Sequence, residues 1–253
     1  MRLRLTNGFI ATAAVAAVLL LTGLPAHSQS GKKEAPAPRA ADGKIDLTGV
    51  WIVSGSPNLP SDPAYRPEAL KLYQQRKTSG GKGDPEKDCL PNGVVRIEPL
   101  PYKIVQTPKL VVLLSEGNTH SYRRFFLDGR PHNLDVEPNS WDGNSIGHWE
   151  GDTLVVDTVG FNEETWLDST GKPHSEELHV IERYRRPDLG HLAIGYTLED
   201  PQAFSKPYTF SRTFTLVTGR DLHEYFCAMD SFAGKEPLCR RPHRHATARV
   251  RCR

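Results

Sequence analysis

The sequence predicts a mainly β protein that folds as a single antiparallel β-barrel of roughly eight to ten strands with one short helix. Two observations predict this fold. From Tyr102 onward, apolar and polar residues alternate with a period of two, as strands with one buried face require. Turn signals such as "DGRP" and "GD" separate these segments, and no helical stretch intervenes. Strands that follow one another through short turns indicate a meander closed into one barrel.

The first 28 residues predict a secretory signal peptide. Arg2 and Arg4 precede an apolar run over residues 10–24, and small residues follow where a signal peptidase cleaves. The apolar run is short for a bilayer span. We therefore expect a periplasmic or secreted protein without a stable membrane anchor.

Three further segments follow the predicted signal peptide. Residues 29–44 are rich in Pro, Ala and Lys and predict a linker, residues 45–232 form the barrel domain, and residues 233–253 form a basic tail. The formal net charge is +2, and loss of the signal peptide removes two arginines and no acid. A nearly neutral chain argues against nucleic acid as the partner.

The barrel elements follow in chain order. The first strand is expected at "LTGVWIV". In "PEALKLYQQRK", residues 67–77, Pro67 stands where a helix begins, and Leu70 and Tyr73 lie three residues apart. The remaining candidate strands are "YKIVQTPKLVVLLSE", "SYRRFFLD", "SIGHWE", "TLVVDTVGF", "LHVIERYRR", "HLAIGYTL", "YTFSRTFTLV" and "LHEYFCAM".

Four cysteines in an exported chain predict disulfides. Cys89 and Cys227 are the favoured pair because both lie beside readable elements, and this bond ties the Cys89 loop to the last strand. Cys239 and Cys252 remain a second candidate pair that closes the tail.

Gly143, Ser145 and Gly147 match the G-x-S-x-G pattern of a hydrolase nucleophile. That motif needs a helix after the serine, whereas here a two-residue turn and a β-branched run follow. The context favours a barrel-wall segment in which the glycines permit bends or close backbone approach.

Two segments resemble known families. "LTGVW" resembles the opening of lipocalin-like (calycin) barrels, which implies a calycin-like fold. "SIGHWEGDTLVVDTVGF", together with "LDGRPH" and "TLEDPQAFSKPYTF", resembles a widespread group of exported, uncharacterised bacterial proteins over about residues 46–228. That group implies no activity, so the site must be argued from the residues.

Two charged residues fall on apolar faces of predicted strands. Arg212 shares its face with Tyr208, and Glu182 shares its face with Tyr184. A lone buried charge is costly, so each needs a partner, and each is a candidate partner for the other. Either they form a core ion pair that fixes strand register, or they line a cavity where the arginine binds an anion and the glutamate transfers a proton.

The segment "SYRRFFLD" has two similarly apolar faces, so its register stays open. One face holds Tyr122, Arg124 and Phe126, and the other holds Arg123, Phe125 and Leu127. Arg124 is a candidate for holding an anionic ligand group.

The loop "NEETWLDSTGKPHSEELH" concentrates polar residues at a predicted barrel mouth. Its His174 has neighbouring carboxylates, which suits either a general acid/base or an ordinary hydrogen-bonded loop histidine. Trp166 and Trp141 are candidates for stacking on a ligand ring or for plugging the barrel end, and Asp168 is a candidate polar contact.

No cofactor is predicted, because the chain has no nucleotide-binding, zinc-binding or haem-attachment motif. A divalent metal is a secondary alternative. Its candidate ligands are His120, His132, His174, His179, Asp128, Asp168 and Glu177.

These observations favour a cofactor-independent lyase, isomerase or hydrolase acting on a small aromatic or acidic molecule. Glu182 and His174 are its candidate catalytic residues. The candidate ligand-binding residues are Arg212, Arg124, Trp166, Asp168, Tyr184 and Tyr208. The alternative is a non-catalytic carrier of the periplasm that uses the same cavity. A partner-binding role is a third hypothesis, supported by the basic tail.

Overall fold

The computed structural model describes residues 34–117, 121–135, 139–225 and 227. The strands follow chain order around a closed barrel in which β1 pairs with both β2 and β9, which confirms the prediction of a single, mainly β barrel. The strands are β1 (Gly49–Ser54), β2 (Tyr102–Gln106), β3 (Leu110–Ser115), β4 (Tyr122–Phe126), β5 (Asn144–Glu150), β6 (Thr153–Val159), β7 (His179–Arg185), β8 (His191–Glu199) and β9 (Tyr208–Val217). The predicted helix is confirmed as α1 (Pro67–Thr78), and Pro85–Asp88 forms a short 3-10 helix.

The strands differ from the predicted set in three places. The long segment that begins at Tyr102 splits into β2 and β3, because Thr107 Oγ1 accepts from the Leu110 amide and closes a turn at Pro108. β5 pairs with β4 in parallel, through Phe125 and Ser145, whereas an all-antiparallel meander is expected.

The third difference concerns "LHEYFCAM", in which residues 221–225 form no strand. Instead, the His223 amide donates to Glu116 and Cys227 forms a disulfide with Cys89. The predicted Cys89–Cys227 disulfide is confirmed, but it joins the 3-10 helix to the segment after β9 and not to a strand. Cys239 and Cys252 lie outside the described residues.

The strand pairing gives the barrel two different ends. At the loop end lie four longer connections, over residues 55–101, 116–121, 160–178 and 200–207. At the turn end lie short connections such as 107–109 and 151–152. The crossover over residues 127–143 leads from β4 back to the loop end, which is why β4 and β5 run parallel.

The turn end is closed by the residues around the first strand. The Trp51 side chain is fully buried and its indole N–H donates to the Leu47 carbonyl at 3.0 Å. The Arg186 guanidinium lies 4.9 Å from the Trp51 ring and donates to the Asp46 carbonyl. An aromatic ring covered by a cation removes apolar surface from water while the charge keeps polar partners.

Residues 34–44, which the composition predicts to be linker, contact this turn end. The Leu189 amide donates to the Ala35 carbonyl at 2.7 Å, and Arg39 forms a bidentate pair with Asp152. Ordered contact with the barrel therefore begins ahead of residue 45. The predicted signal peptide and basic tail lie outside the described residues, and none of the helices in the described ranges has the length and apolarity of a membrane span.

The loop end is covered by α1 and the long connections. Tyr73 is the buried residue of α1, whereas Leu70, predicted to share its face, is 41% exposed. Tyr65 packs between Tyr73 and Phe204, with ring centroids 5.6 and 5.5 Å away. These contacts fix the connections from β1 and β8 above the barrel interior.

Candidate functional site

The barrel interior contains a cavity of about 50 Å³ near its loop end, here called the inner cavity. It lies between the strand walls and the segment over residues 93–101. Its apolar lining includes Val94, Leu113 and Ile194. Its polar lining is formed by Arg96, Glu98, Tyr102, Ser115, Ser121, Arg123, Glu182, Tyr184 and Tyr196.

A buried ion pair forms one wall of the inner cavity. Arg123 donates two hydrogen bonds to the Glu182 carboxylate, Nη1 to Oε1 at 3.1 Å and Nη2 to Oε2 at 2.5 Å. The Tyr184 hydroxyl donates to Oε1 at 2.9 Å. Both charged side chains are buried, and such a pair is tolerated only when the geometry is bidentate and further hydrogen bonds are present.

The same guanidinium reaches the hydroxyls of the neighbouring strands. Nη2 of Arg123 lies 3.4 Å from both Ser145 Oγ and Thr158 Oγ1, and these two oxygens are 2.9 Å apart. Burial lowers the pKa of Arg123, but the charge of Glu182, the nearby Tyr184 and the hydrogen bonds to Glu182 together outweigh burial and raise this pKa above its ordinary value. The arginine is therefore permanently charged, and Glu182 is its counterion.

The Tyr102 hydroxyl and Nε of Arg123 are the two buried side-chain atoms of the inner-cavity lining without a hydrogen-bond partner among the described residues, and the hydroxyl is the uncharged one. It is buried and makes no hydrogen bond within the described part of the chain. Burial raises its pKa well above the ordinary value, so the hydroxyl keeps its proton and is a hydrogen-bond donor. A water molecule needs about 10–15 Å³ of such space, so the cavity has room for a small polar group beside Tyr102.

Arg212 points into the interior as predicted, but its pairing with Glu182 is wrong. Nη1 donates to the Val95 carbonyl and Nη2 to the Pro57 carbonyl, both at 2.7 Å. Its guanidinium also lies 5.5 Å from the centroid of the Tyr196 ring. Arg212 thus holds two loop segments over the barrel, and these hydrogen bonds occupy both terminal nitrogens.

The burial pattern of β4 shows which face of "SYRRFFLD" points into the barrel. Arg123 and Phe125 face the interior, whereas Tyr122 and Arg124 face outward. Arg124, the residue selected from sequence, lies 5.4 Å from the Phe126 ring on the outer surface. The inward arginine at this strand is therefore Arg123.

The G-x-S-x-G segment forms barrel wall at the start of β5. Gly143 has a φ of +64°, and a Cβ atom there would lie 2.8 Å from the Val159 carbonyl oxygen. A Cβ at Gly147 would lie 3.0 Å from the Val155 carbonyl oxygen. Both glycines permit close backbone approach, and the Ser145 hydroxyl is bonded within the wall.

His174 lies in the connection over residues 160–178 and does not line the inner cavity. Its Nδ1–H donates to the Ser175 carbonyl at 2.9 Å, and its Nε2 accepts from the Thr165 hydroxyl at 2.5 Å. Burial lowers the pKa of His174 below its ordinary value. The ring is a neutral, doubly hydrogen-bonded loop residue, an arrangement that leaves no nitrogen for proton transfer.

The other loop candidates brace the loop end. Asp168 is fully buried and accepts from Lys172 Nζ at 2.8 Å and from the Leu59 amide at 3.1 Å. The Tyr208 hydroxyl donates to a backbone carbonyl at residue 61, and the Trp166 ring lies beneath Arg76 at 5.2 Å. Of the predicted ligand-binding residues, the structure places Tyr184 in the inner cavity together with Glu182.

The predicted metal ligands are dispersed over the described part of the chain and do not converge on one point. His132 and His179 both contact Asp157 Oδ1, each at 3.0 Å, on the outer barrel wall. The hydrogen bond to Asp157 raises the pKa of His179 and lowers that of Asp157. Asp128 pairs with Arg130 and Glu177 with Gln202, whereas His120 lies outside the described residues.

A different group of residues has potential metal-ligand atoms close together. Among the described residues, these atoms lie within 4.8 Å of one another in Glu34, Asp188 and His191, none of which is a predicted ligand.

A second depression, here called the outer cleft, lies against the seam between β4 and β5. Its volume is about 570 Å³. Arg123 lines both the outer cleft and the inner cavity, so its side chain forms part of the wall between them. The cleft is lined by Pro91, Tyr122, Arg123, Arg124, Phe126, Asn139, Ser140, Trp141, Asp142, Gly143, Asn144, Ser145 and Asn162.

Asp142 in the outer cleft has an unusual protonation equilibrium. Burial raises the pKa of its carboxyl group to about 6, and the nearby positive charge of Arg123 opposes this shift. Its Oδ1 atom is buried and has no hydrogen-bond partner among the described residues. Asp142 is not predicted from the sequence, because it lies in a crossover loop where no periodicity indicates burial.

Tyr102, in contrast, shares the buried face of β2 with Ile104, so the period-two alternation of the sequence does indicate its burial.

Comparison of the sequence with protein-family models and with curated proteins finds no match. Among solved structures, two crystal structures of single-residue mutants of the fluorescent protein UnaG are similar. Both share 12% identity with this chain and cover 68% of it and 97% of their own length, with TM-scores of 0.35 and 0.34.

Replacement of Asp142 by Asn is expected to stabilise the protein at neutral pH. Because the folded-state pKa is raised to about 6, the native protein binds a proton that the unfolded chain releases between about pH 4 and 6, and its stability falls as the pH rises through this window. Asp142→Asn removes this cost and should raise the free energy of unfolding by about 2 kcal/mol above pH 6. Urea unfolding at pH 4, 5, 6 and 7.5 measures this difference, which should shrink towards pH 4. A difference that stays constant with pH would contradict the assignment.

Proposed function

We propose that this protein is a small-molecule-binding barrel, and that it acts after the export predicted from residues 1–28. The observation that carries the proposal is the Tyr102 hydroxyl, which is buried beside a cavity without a hydrogen-bond partner in the described chain. An unmet buried donor costs about 1–3 kcal/mol, and a ligand that accepts its hydrogen bond recovers this cost. The cavity combines apolar side chains with polar groups that can fix the orientation of a ligand, as ligand pockets do.

The charges of the inner cavity select the chemistry of the ligand. Arg123 and Glu182 neutralise each other through two hydrogen bonds, so the pair presents no net charge. The other two charged lining residues are also bonded within the protein, because Arg96 pairs with Asp84 and Asn92 donates to Glu98. A carboxylate ligand would have to compete with Glu182 for Arg123. A neutral group that accepts from Tyr102, such as a carbonyl or hydroxyl oxygen, fits without breaking the pair.

The size and lining of the inner cavity limit the group that enters it. The volume of about 50 Å³ admits a group of a few non-hydrogen atoms. The cavity is bounded at the loop end by the segment over residues 93–101, which includes the apolar Ile97 and Leu100. We therefore propose a ligand whose small neutral polar group lies among the tyrosines while an apolar part faces this segment.

The same geometry favours binding over acid/base catalysis. Glu182 accepts hydrogen bonds from Arg123 and Tyr184, so both of its carboxylate oxygens are bonded to protein donors. His174, the other candidate proton-transfer residue, is buried elsewhere and both of its ring nitrogens are hydrogen-bonded. A carrier needs the cavity and the Tyr102 donor alone.

Binding of N-methylacetamide, a small molecule with a neutral carbonyl, tests the proposal. In two-dimensional NMR titrations of the full chain, we expect the amide signals of cavity residues such as Leu113 and Ile194 to shift. Tyr102→Phe removes the donor and should weaken binding about tenfold, which corresponds to one hydrogen bond. Tyr122→Phe is the matched control, because Tyr122 is 58% exposed and lies on the outer face of β4.

A second variant tests whether binding takes place in the inner cavity, independently of any indirect effect of Tyr102→Phe. Leu113→Phe places a larger side chain into the cavity and should abolish binding while the far-ultraviolet circular dichroism stays that of a β-barrel. The proposal is wrong if the cavity signals do not respond in the wild type, or if Leu113→Phe and Tyr102→Phe bind the amide as the wild type does.

A further inference from the structure

The outer cleft holds a buried acceptor that the described protein does not satisfy. Asp142 makes no hydrogen bond or ion pair with the described residues, and its Oδ1 is shielded from solvent. Arg123 is close enough to influence its charge, yet it donates its hydrogen bonds to Glu182. A buried carboxylate without donors is costly, and such a group in a cleft indicates a missing partner.

The surroundings of Asp142 indicate the shape of that partner. Trp141, Tyr122 and Phe126 line the same cleft, so aromatic surface is exposed to any molecule in it. Arg124 lies 5.4 Å from the Phe126 ring and adds a flat guanidinium group. Aromatic rings and guanidinium planes stack on planar molecules. The volume of about 570 Å³ accommodates a ring system.

The outer cleft carries charges of both signs, so an anion or a cation would meet a repulsive charge as well as an attractive one. A carboxylate or phosphate would face the Asp142 carboxylate, which has no cation bonded to it among the described residues. An organic cation would face Arg124 on the opposing strand β4. A neutral molecule with a polarised O–H or N–H group meets neither repulsion and supplies the donor that Asp142 lacks.

From this geometry we propose that the outer cleft is a second binding site, specific for neutral planar aromatic molecules that donate a hydrogen bond to Asp142. Phenols and N–H heterocycles belong to this class. The site is separate from the inner cavity, and the proposal does not depend on what the inner cavity binds. Arg123 forms part of the wall between the two.

Two probes of the same ring and substitution pattern test the donor requirement. Resorcinol carries two hydroxyl groups, and 1,3-dimethoxybenzene carries methyl ethers at the same positions and has no donor. In NMR titrations of the full wild-type chain at pH 7.5, we expect resorcinol to shift the amide signals of Trp141 and Asp142 with a millimolar dissociation constant. 1,3-Dimethoxybenzene should bind at least tenfold more weakly, because a charge-assisted hydrogen bond is lost.

Variants assign the effect to the carboxylate. Asp142→Leu removes the acceptor at similar size and should weaken resorcinol binding at least tenfold. Asp135→Leu is the matched control, because Asp135 is an exposed acid on the same crossover. Tyr102→Phe, which alters the inner cavity, should leave resorcinol binding unchanged, so failure of this proposal is distinguishable from failure of the proposed function.

Three outcomes overturn the inference. The first is the absence of shifts at Trp141 and Asp142 at 20 mM resorcinol. The second is equal affinity for the two probes in the wild type, a comparison that requires no variant to fold. The third is unchanged resorcinol affinity in Asp142→Leu with a native-like spectrum.

Discussion

The organisation of the barrel interior depends on the buried ion pair between Arg123 and Glu182. The two residues lie on β4 and β7, so their hydrogen bonds cross the interior and join strands that are not neighbours in the sheet. Removing two charges from water is costly, and the pair repays that cost through its bidentate geometry and the hydroxyl of Tyr184. The pair lines the inner cavity together with Tyr102, whose hydroxyl remains unpaired among the described residues.

The loop end shows why many chemically versatile side chains do not form the site. Arg212 and His174 direct their nitrogens to groups of the connecting segments, and Asp168 forms a buried pair with Lys172. Long connections expose many backbone groups, and those that become buried need hydrogen-bond partners. Polar residues of the loop end meet that need, so the polar groups left for ligands are those of the barrel wall and of the crossover.

Sequence predicts the parts of this structure that depend on local patterns. Period-two alternation predicts the barrel and places Glu182 and Arg212 inside, because a strand has only two faces. It does not predict that Glu182 pairs with Arg123, since pairing across a barrel depends on the angular positions of strands far apart in sequence. The register of β4 is open from sequence because both faces are similarly apolar. Asp142 is not predicted at all, because its burial arises from a crossover that packs against a parallel strand pair.

A double-mutant cycle between Arg123 and Glu182 tests this account most directly. Free energies of unfolding at pH 7.5 would be measured for the wild type, Arg123→Met, Glu182→Met and the double variant. Each single substitution leaves a buried charge without its partner and should cost about 3–5 kcal/mol. The double variant should be more stable than either single variant, with a coupling energy of at least about 2 kcal/mol. Additive effects of the two substitutions would contradict the central role of the ion pair.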